Sequence, residues 1–160
     1  MLHLFWVKWL NLLCTFFILL SDYQGFYVSN TYVYPTFVRL SAHHALAAKI
    51  YHQIRQQHRK FITSNYIITE LVALLTSPLR IPRNKTIEFI NSLKNSPLVE
   101  IVHIDVNLDN QTWQLLTQRE DKNWSLVDCS SFVIMGQRHL MEALTTDHHF
   151  EQAGFIQLLK

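Results

Sequence analysis

Glycine is scarce, with three residues in 160. No glycine-rich loop able to cradle a phosphate can be assembled from them, and no serine sits in a nucleophile elbow. Cysteine is scarcer still. Cys14 and Cys129 give neither a disulfide framework nor a paired metal spacing, which suits a reducing cytoplasm. Charge is also sparse, at 16% of residues, and fourteen Lys and Arg against twelve Asp and Glu leave a net +2. That excess is too small to argue for nucleic-acid binding by itself, although nine histidines could add positive charge beside a polyanion.

Long apolar runs are short of what a membrane needs. The first twenty residues, MLHLFWVKWLNLLCTFFILL, are apolar apart from His3, Lys8 and Asn11, but the run after Asn11 spans only nine residues. Residues 9–20 have the form of a signal-peptide apolar region behind a meagre basic start at Lys8, with no clear small-residue cleavage site after it. Residues 1–21 therefore read as a hydrophobic N-terminal extension ahead of a domain at 22–160. Membrane contact through residues 1–20 is the less favoured alternative to a cytoplasmic protein.

What the chain has in quantity is apolar character, 49% of residues, enough to bury one real core. Beyond residue 25, strand-like and helix-like pieces alternate, the pattern of an α/β domain with a mainly parallel sheet. FYVSNTYVYPTF (26–37) begins with a strand at Phe26–Val28 and reaches the polar tip Ser29-Asn30-Thr31. A helix follows at 42–58. A short strand at 61–63 leads to Ser64, which can cap NYIITELVALLT (65–76). Pro78 and Pro82 separate that helix from one at about 83–93. LVEIVHI (98–104) is the third strand. A helix at about 108–119 turns Trp113, Leu115 and Leu116 inward, and another runs from Ser125 to about His139. A strand at 143–146, a helical turn at 147–152 and a strand at 155–158 complete the domain.

Ligands of open α/β sheets sit outside the carboxyl ends of the strands. Three tips qualify: Ser29-Asn30-Thr31, Thr63-Ser64, and Thr145-Thr146-Asp147. Glu70, two turns into the helix after the second tip, Asp128, in the first turn of its helix, and Asp147 could converge on one sheet edge. Clustered carboxylates repel one another unless a divalent cation neutralises them. Mg²⁺ or Mn²⁺ favours such oxygen ligands and can polarise a phosphate while activating a water, so a phosphodiester is the obvious substrate.

Each acid also has a purely structural explanation. Ser125-x-x-Asp128 has the form of a capping box, and the helix dipole alone favours an acid there. Asp147 could simply start the helical turn, and Glu70 could be a partly exposed helix residue. The adjacent pairs His43-His44 and His148-His149 are expected to point apart on helices, without an acid or cysteine at zinc-ligand spacing.

The segment WSLVDCSSFVIMGQRHLMEALTTDHHFEQAGF (124–155) resembles the C-terminal half of PIN-domain proteins, above all the VapC-type toxins. The similarity rests on a Ser-Leu-x-Asp helix start and on Thr146-Asp147-x-x-Phe150-x-x-x-Gly154. FITSNYIITELVALL (61–75) and VRLSAHHALAAKIYHQI (38–54) resemble the family's second-strand segment and the helix after its first strand. The resemblance covers about 26–158. It implies a three-layer α/β/α PIN-like fold, a Mg²⁺- or Mn²⁺-dependent endoribonuclease acting on RNA, a homodimer, and a cognate antitoxin partner. By the same resemblance Glu70, Asp128 and Asp147 are the catalytic, metal-holding acids, with Thr146 supporting. RNA contacts are expected from basic residues flanking the acids: Arg55, Arg59, Lys60, Arg80 and Arg83.

One position departs from the family pattern. Where the first strand usually delivers a metal-binding Asp, this chain offers Ser29 or Asn30, of which Ser29 fits the register better because Val28 then precedes it as in the pattern. Either supplies a neutral oxygen and no charge. The implied activity is therefore attenuated, and the alternative is a catalytically inactive PIN-fold module that binds an antitoxin or RNA.

Overall fold

A computed structural model describes Leu20–Ser21, positions 46, 49, 50, 53, 56 and 57, and 59–159 apart from Pro78 and Leu98. The strand expected at Phe26–Val28, with Ser29, Asn30 and Arg55, lies outside the described residues. The helical state of 46, 49, 50, 53 and 56 agrees with the expected 42–58 helix.

Strand β2 (Lys60–Ser64) and strand β3 (Val99–Val102) run parallel, with Phe61 opposite Val99 and Ser64 opposite Val102. Strand β1 (Leu20–Ser21) pairs antiparallel with the start of β2, so a boundary drawn after residue 21 follows a segment that is paired with the domain. Strands β4 (Glu142–Ala143) and β5 (Ile156–Gln157) form a second parallel pair. Among the described residues no ladder joins the two pairs, where a single central sheet was expected.

Helix α1 (Asn65–Thr76) starts at Ser64, whose hydroxyl accepts the Ile67 N–H at 3.3 Å. Its buried residues, Ile67, Ile68, Leu71, Leu74 and Leu75, recur at helical spacing and make one apolar face. The chain leaves α1 at an extended Ser77, and Leu79 and Ile81 donate back to the Leu74 and Leu75 carbonyls. Helix α2 (Arg83–Lys94) buries Thr86, Phe89, Ile90 and Leu93 against α1.

Helix α3 (Val106–Gln118) is capped by Asp105, which accepts from Leu108 N–H at 2.8 Å. Its inward face carries Leu108, Thr112, Leu115 and Leu116, whereas Trp113 is 58% exposed. The inward reading of Trp113 is thus corrected: it stands about 100° around the helix from buried Thr112. Helix α4 (Leu126–Gln137) buries every residue from Asp128 to Met135 except Val133, so it is the central helix. Ser130 and Ser131 tolerate that burial because both hydroxyls donate to the Val127 carbonyl.

Successive β3 side chains go to opposite faces. Ile101 joins the α1–α2 core, and Val102 joins a second core built on α4. The sheet thus has a helical layer on each side, as the α/β/α reading requires. In the second core Phe132 of α4 meets Trp124 and Phe150 edge-on, at 4.9 and 5.0 Å between ring centres, and stacks on Phe155 at 5.7 Å. Phe150 belongs to helix α5 (His149–Gln152), and Gly154, at φ +92°, provides the left-handed turn that leads to Phe155. This aromatic cluster fixes the segment after β4 against the start of α4.

Candidate metal centre

The parallel register places the ends of β2 and β3 at one sheet edge. Asn65, the first residue of α1, ties them together, its side-chain oxygen accepting the Ile104 N–H at 2.8 Å. Three acids lie on different elements, Glu70 in α1, Asp128 in the first turn of α4, and Asp147 in the loop between β4 and α5, and the charge of Asp128 acts on Glu70 while that of Asp147 acts on Asp128.

Glu70 is half-buried, and that burial, reinforced by the charge of Asp128, pushes its carboxyl up to about 7. Asp128 is buried as well. Desolvation holds its carboxyl above the usual range, against the lowering effect of hydrogen bonds from Ser125; the Asp147 charge adds to the rise and His149 opposes it. Asp128 does cap its helix, because Oδ2 accepts the Ser125 N–H at 2.8 Å and the Asp128 N–H donates to Ser125 Oγ at 3.0 Å. That role occupies one carboxylate oxygen and leaves the other. Asp147 is held in a tight turn, its N–H donating to Thr145 Oγ1 and its Oδ1 accepting the His149 N–H, both at 2.9 Å.

The effects of the Asp128 charge on Glu70 and of the Asp147 charge on Asp128 are repulsions that a bound cation would relax. Oxygen donors brought together from three elements fit Mg²⁺ or Mn²⁺. Sequence reasoning missed two contributors. Thr145, fully buried, anchors the Asp147 backbone, and His149 lies between two of the acids. His149 Nδ1 is 3.5 Å from Asp128 Oδ2 and 3.4 Å from Asp147 Oδ1, is shielded from solvent, and makes no hydrogen bond.

The expectation that His148 and His149 point apart is overturned. His148 caps α5 instead of lying inside it. Their rings stand 4.5 Å apart, and His148 Nδ1 is 3.7 Å from Asp147 Oδ1. The acid they needed was the immediately preceding residue, a signal available in the string TTDHH.

The basic residues expected around the acids are placed elsewhere. Arg59 precedes β2 and Lys60 begins it, so both sit at the opposite end of the strand from Ser64, roughly 16 Å away along it. Arg59 Nη2 is paired there with Glu142 Oε2 at 2.8 Å. Arg80 and Arg83 lie beyond the far end of α1, a helix about 18 Å long. Ser29, Asn30 and Arg55 fall outside the described residues. Thr146 is half-buried beside Asp147.

No family model matches the chain. The 23S rRNA-specific endonuclease VapC20 of Mycobacterium tuberculosis, in strains CDC 1551 / Oshkosh and ATCC 25618 / H37Rv, is 27% identical over 97 residues, 61% of this chain and 72% of the relative. The crystal structure of M. tuberculosis VapC20, described as a sarcin-ricin loop cleaving toxin, superposes with a TM-score of 0.65 at 24% identity, covering 76% of this chain and 89% of that one. The chain shares the PIN fold of that structure. In this PIN fold Ser64 and Val102 end the two parallel strands side by side, the position where an open α/β sheet holds its ligand. Among the described residues, no helix of the PIN domain is long and apolar enough to cross a membrane.

Proposed function

We propose that the chain is a divalent-metal-dependent endoribonuclease, the toxin of a toxin–antitoxin pair, with Glu70, Asp128 and Asp147 as the acids of its site. The observation that supports this reading is the electrostatic coupling of the acids: burial and the charge of Asp128 push Glu70 up to about 7, and the charge of Asp147 adds to the rise of Asp128. A cation held by these residues would polarise an RNA phosphate and make a water nucleophilic at neutral pH. The chain's own groups do the rest. The Ser125 N–H holds the Asp128 carboxylate, the His149 N–H holds the Asp147 carboxylate while Thr145 anchors the Asp147 backbone, and Glu70 is half-shielded from bulk water.

The first RNA to test is the sarcin-ricin loop of 23S rRNA, the target named for the mycobacterial relative. Further parts of the proposal are a cytoplasmic location, a cognate antitoxin, a homodimer, and a boundary near residue 21 between an extension and the PIN domain. The full chain should cleave this loop with Mn²⁺ or Mg²⁺, and both EDTA and Glu70→Gln should abolish cleavage. Undiminished cleavage by Glu70→Gln would overturn the site, and absence of cleavage with every cation would overturn the enzyme. The second reading, an inactive module that binds an antitoxin or RNA, is favoured by one sequence feature, the neutral Ser29-Asn30 tip. It predicts RNA binding without cleavage.

A further inference from the structure

Asp147, His148 and His149 each direct a donor atom into one small volume, and all three atoms lie within 4.8 Å of one another. The two histidine Nδ1 atoms stand 3.4 and 3.7 Å from the same oxygen, Asp147 Oδ1. Two ligands bound at about 2.0–2.1 Å to a tetrahedral cation are separated by about 3.3–3.4 Å. The turn is therefore close to coordinating geometry before any ion binds. A second observation points the same way. His149 Nδ1 is shielded from solvent and has no hydrogen-bond partner, although its ring stands between two carboxylates. A buried ring nitrogen left without a partner is costly unless something fills the position.

We propose that Asp147, His148 and His149 form a site for an imidazole-seeking divalent cation of the Zn²⁺ class, overlapping the Mg²⁺/Mn²⁺ centre at Asp147. Two imidazoles and one carboxylate, with a fourth position open to water, match a Zn²⁺ donor set. The two sites differ in chemistry. Imidazole favours Zn²⁺, Ni²⁺ and Cu²⁺, whereas the all-oxygen set of Glu70, Asp128 and Asp147 suits Mg²⁺ and Mn²⁺. Because Asp147 Oδ1 cannot serve both centres fully, Zn²⁺ bound at the histidines withdraws a ligand from the other ion. The consequence is inhibition by Zn²⁺. This last step rests on the ribonuclease reading, but the binding site does not.

The test separates the two. Zn²⁺ is titrated calorimetrically into the metal-stripped full chain without RNA, and Co²⁺ is added in parallel as a spectroscopic substitute for Zn²⁺. One equivalent of tight binding is expected, with the visible bands of a low-coordinate, nitrogen-bearing Co²⁺. His148 is exposed, so His148→Ala should fold normally, weaken Zn²⁺ by about tenfold or more, and leave Mn²⁺ binding intact. Glu70→Gln should do the reverse, weakening Mn²⁺ and sparing Zn²⁺. Unchanged Zn²⁺ affinity in His148→Ala overturns the site, as does an equal loss of both cations in Glu70→Gln. Zn²⁺ should inhibit Mn²⁺-dependent cleavage by the wild type and not by His148→Ala, and equal inhibition of both overturns the regulatory step. If cleavage is absent altogether, calorimetry still decides the site; if Zn²⁺ fails to bind, cleavage still decides the nuclease.

Discussion

Ser125 and Asp128 hold each other reciprocally. The Ser125 N–H donates to Asp128 Oδ2 at 2.8 Å, and the Asp128 N–H donates to Ser125 Oγ at 3.0 Å. One acid thus caps the start of a helix and is an acid of the proposed metal site, and the two roles can be divided. Asp128→Asn keeps an oxygen able to accept the Ser125 N–H but loses the charge. Asp128→Ala loses both, and the loss of the cap partner costs about 1 kcal/mol. In EDTA the Asn variant should melt near the wild type and the Ala variant several degrees lower. With Mn²⁺, neither should show the rise in melting temperature that the wild type shows. An Asn variant that keeps the full Mn²⁺-dependent rise would remove Asp128 from the metal centre.

The raised carboxyl of Glu70 sets a pH dependence whose sign is fixed. Below pH 4.5, folded and unfolded chains both carry the proton, and the group contributes nothing. Between 4.5 and about 7 the unfolded chain ionises first, so the folded form is progressively disfavoured; above 7 the penalty is constant. In EDTA, Glu70→Gln should leave the melting temperature unchanged near pH 4 and raise it by a few degrees at pH 8. Saturating Mn²⁺ reverses the trend in the wild type, because ionised carboxylates bind it. Its stabilising effect should grow from pH 5.5 to pH 8, as thermal melts across that range will read.

Cys129 is fully buried in α4, and burial pushes its thiol up to about 11, with Asp128 adding to the rise. A thiol so shielded and so weakly ionised is inert to alkylation in the folded state. In a Cys14→Ser background, Cys129 should label only at the rate of global unfolding, and labelling should accelerate in step with urea-induced loss of structure. Fast labelling of the native protein would contradict the packing of α4.

The elements were legible in the sequence wherever local chemistry marked them. Ser64 before an apolar stripe, Pro78 and Pro82 between helices, and Ser125-x-x-Asp128 each announce a boundary through a cap or a missing donor, and each boundary is found. Trp113 was misplaced because α3 is only partly buried, so its apolar residues do not all share the inward stripe. Glu70, Asp128 and Asp147 were legible as a candidate set from topology, and the charge of Asp128 acting on Glu70 and of Asp147 on Asp128 supports grouping them. The positions of Arg59 and Lys60 show the same effect in reverse. Arg59 and Lys60 are near Ser64 in sequence, but an intervening strand carries them to the other end of the sheet. The His148–His149 pair was hidden by assuming helix where the chain makes a turn, a distinction of one or two residues that periodicity cannot resolve.

Phe150 connects the aromatic core to the metal centre. It is 1% exposed, meets Phe132 edge-on, and directly follows His149. Phe150→Ala should cost about 3–5 kcal/mol. Phe150→Leu fills much of the volume and should cost about 1–2 kcal/mol. If the core positions the Asp147–His149 turn, the Leu variant should remain folded and bind Mn²⁺ several-fold more weakly. Wild-type affinity in a destabilised Phe150→Leu protein would mean that the turn holds its shape without the aromatic cluster.

The proposed activity is tested most directly at Ser29-Asn30, the polar tip expected from the sequence. Ser29 and Asn30 stand where the family resemblance expects an Asp, and a neutral oxygen cannot replace a charge in holding a strongly hydrated ion. Mg²⁺ surrenders its waters reluctantly and should suffer more from the missing charge than Mn²⁺. The full chain is therefore expected to cleave RNA faster with Mn²⁺ than with Mg²⁺. Ser29→Asp should restore Mg²⁺-dependent cleavage by about tenfold or more and tighten Mg²⁺ binding, whereas Asn30→Asp, one residue out of the register that the resemblance favours, should do neither. Rescue by Asn30→Asp alone would shift the register by one residue. Cleavage in Mg²⁺ that already equals cleavage in Mn²⁺, with no gain from either substitution, would mean that the remaining three acids suffice.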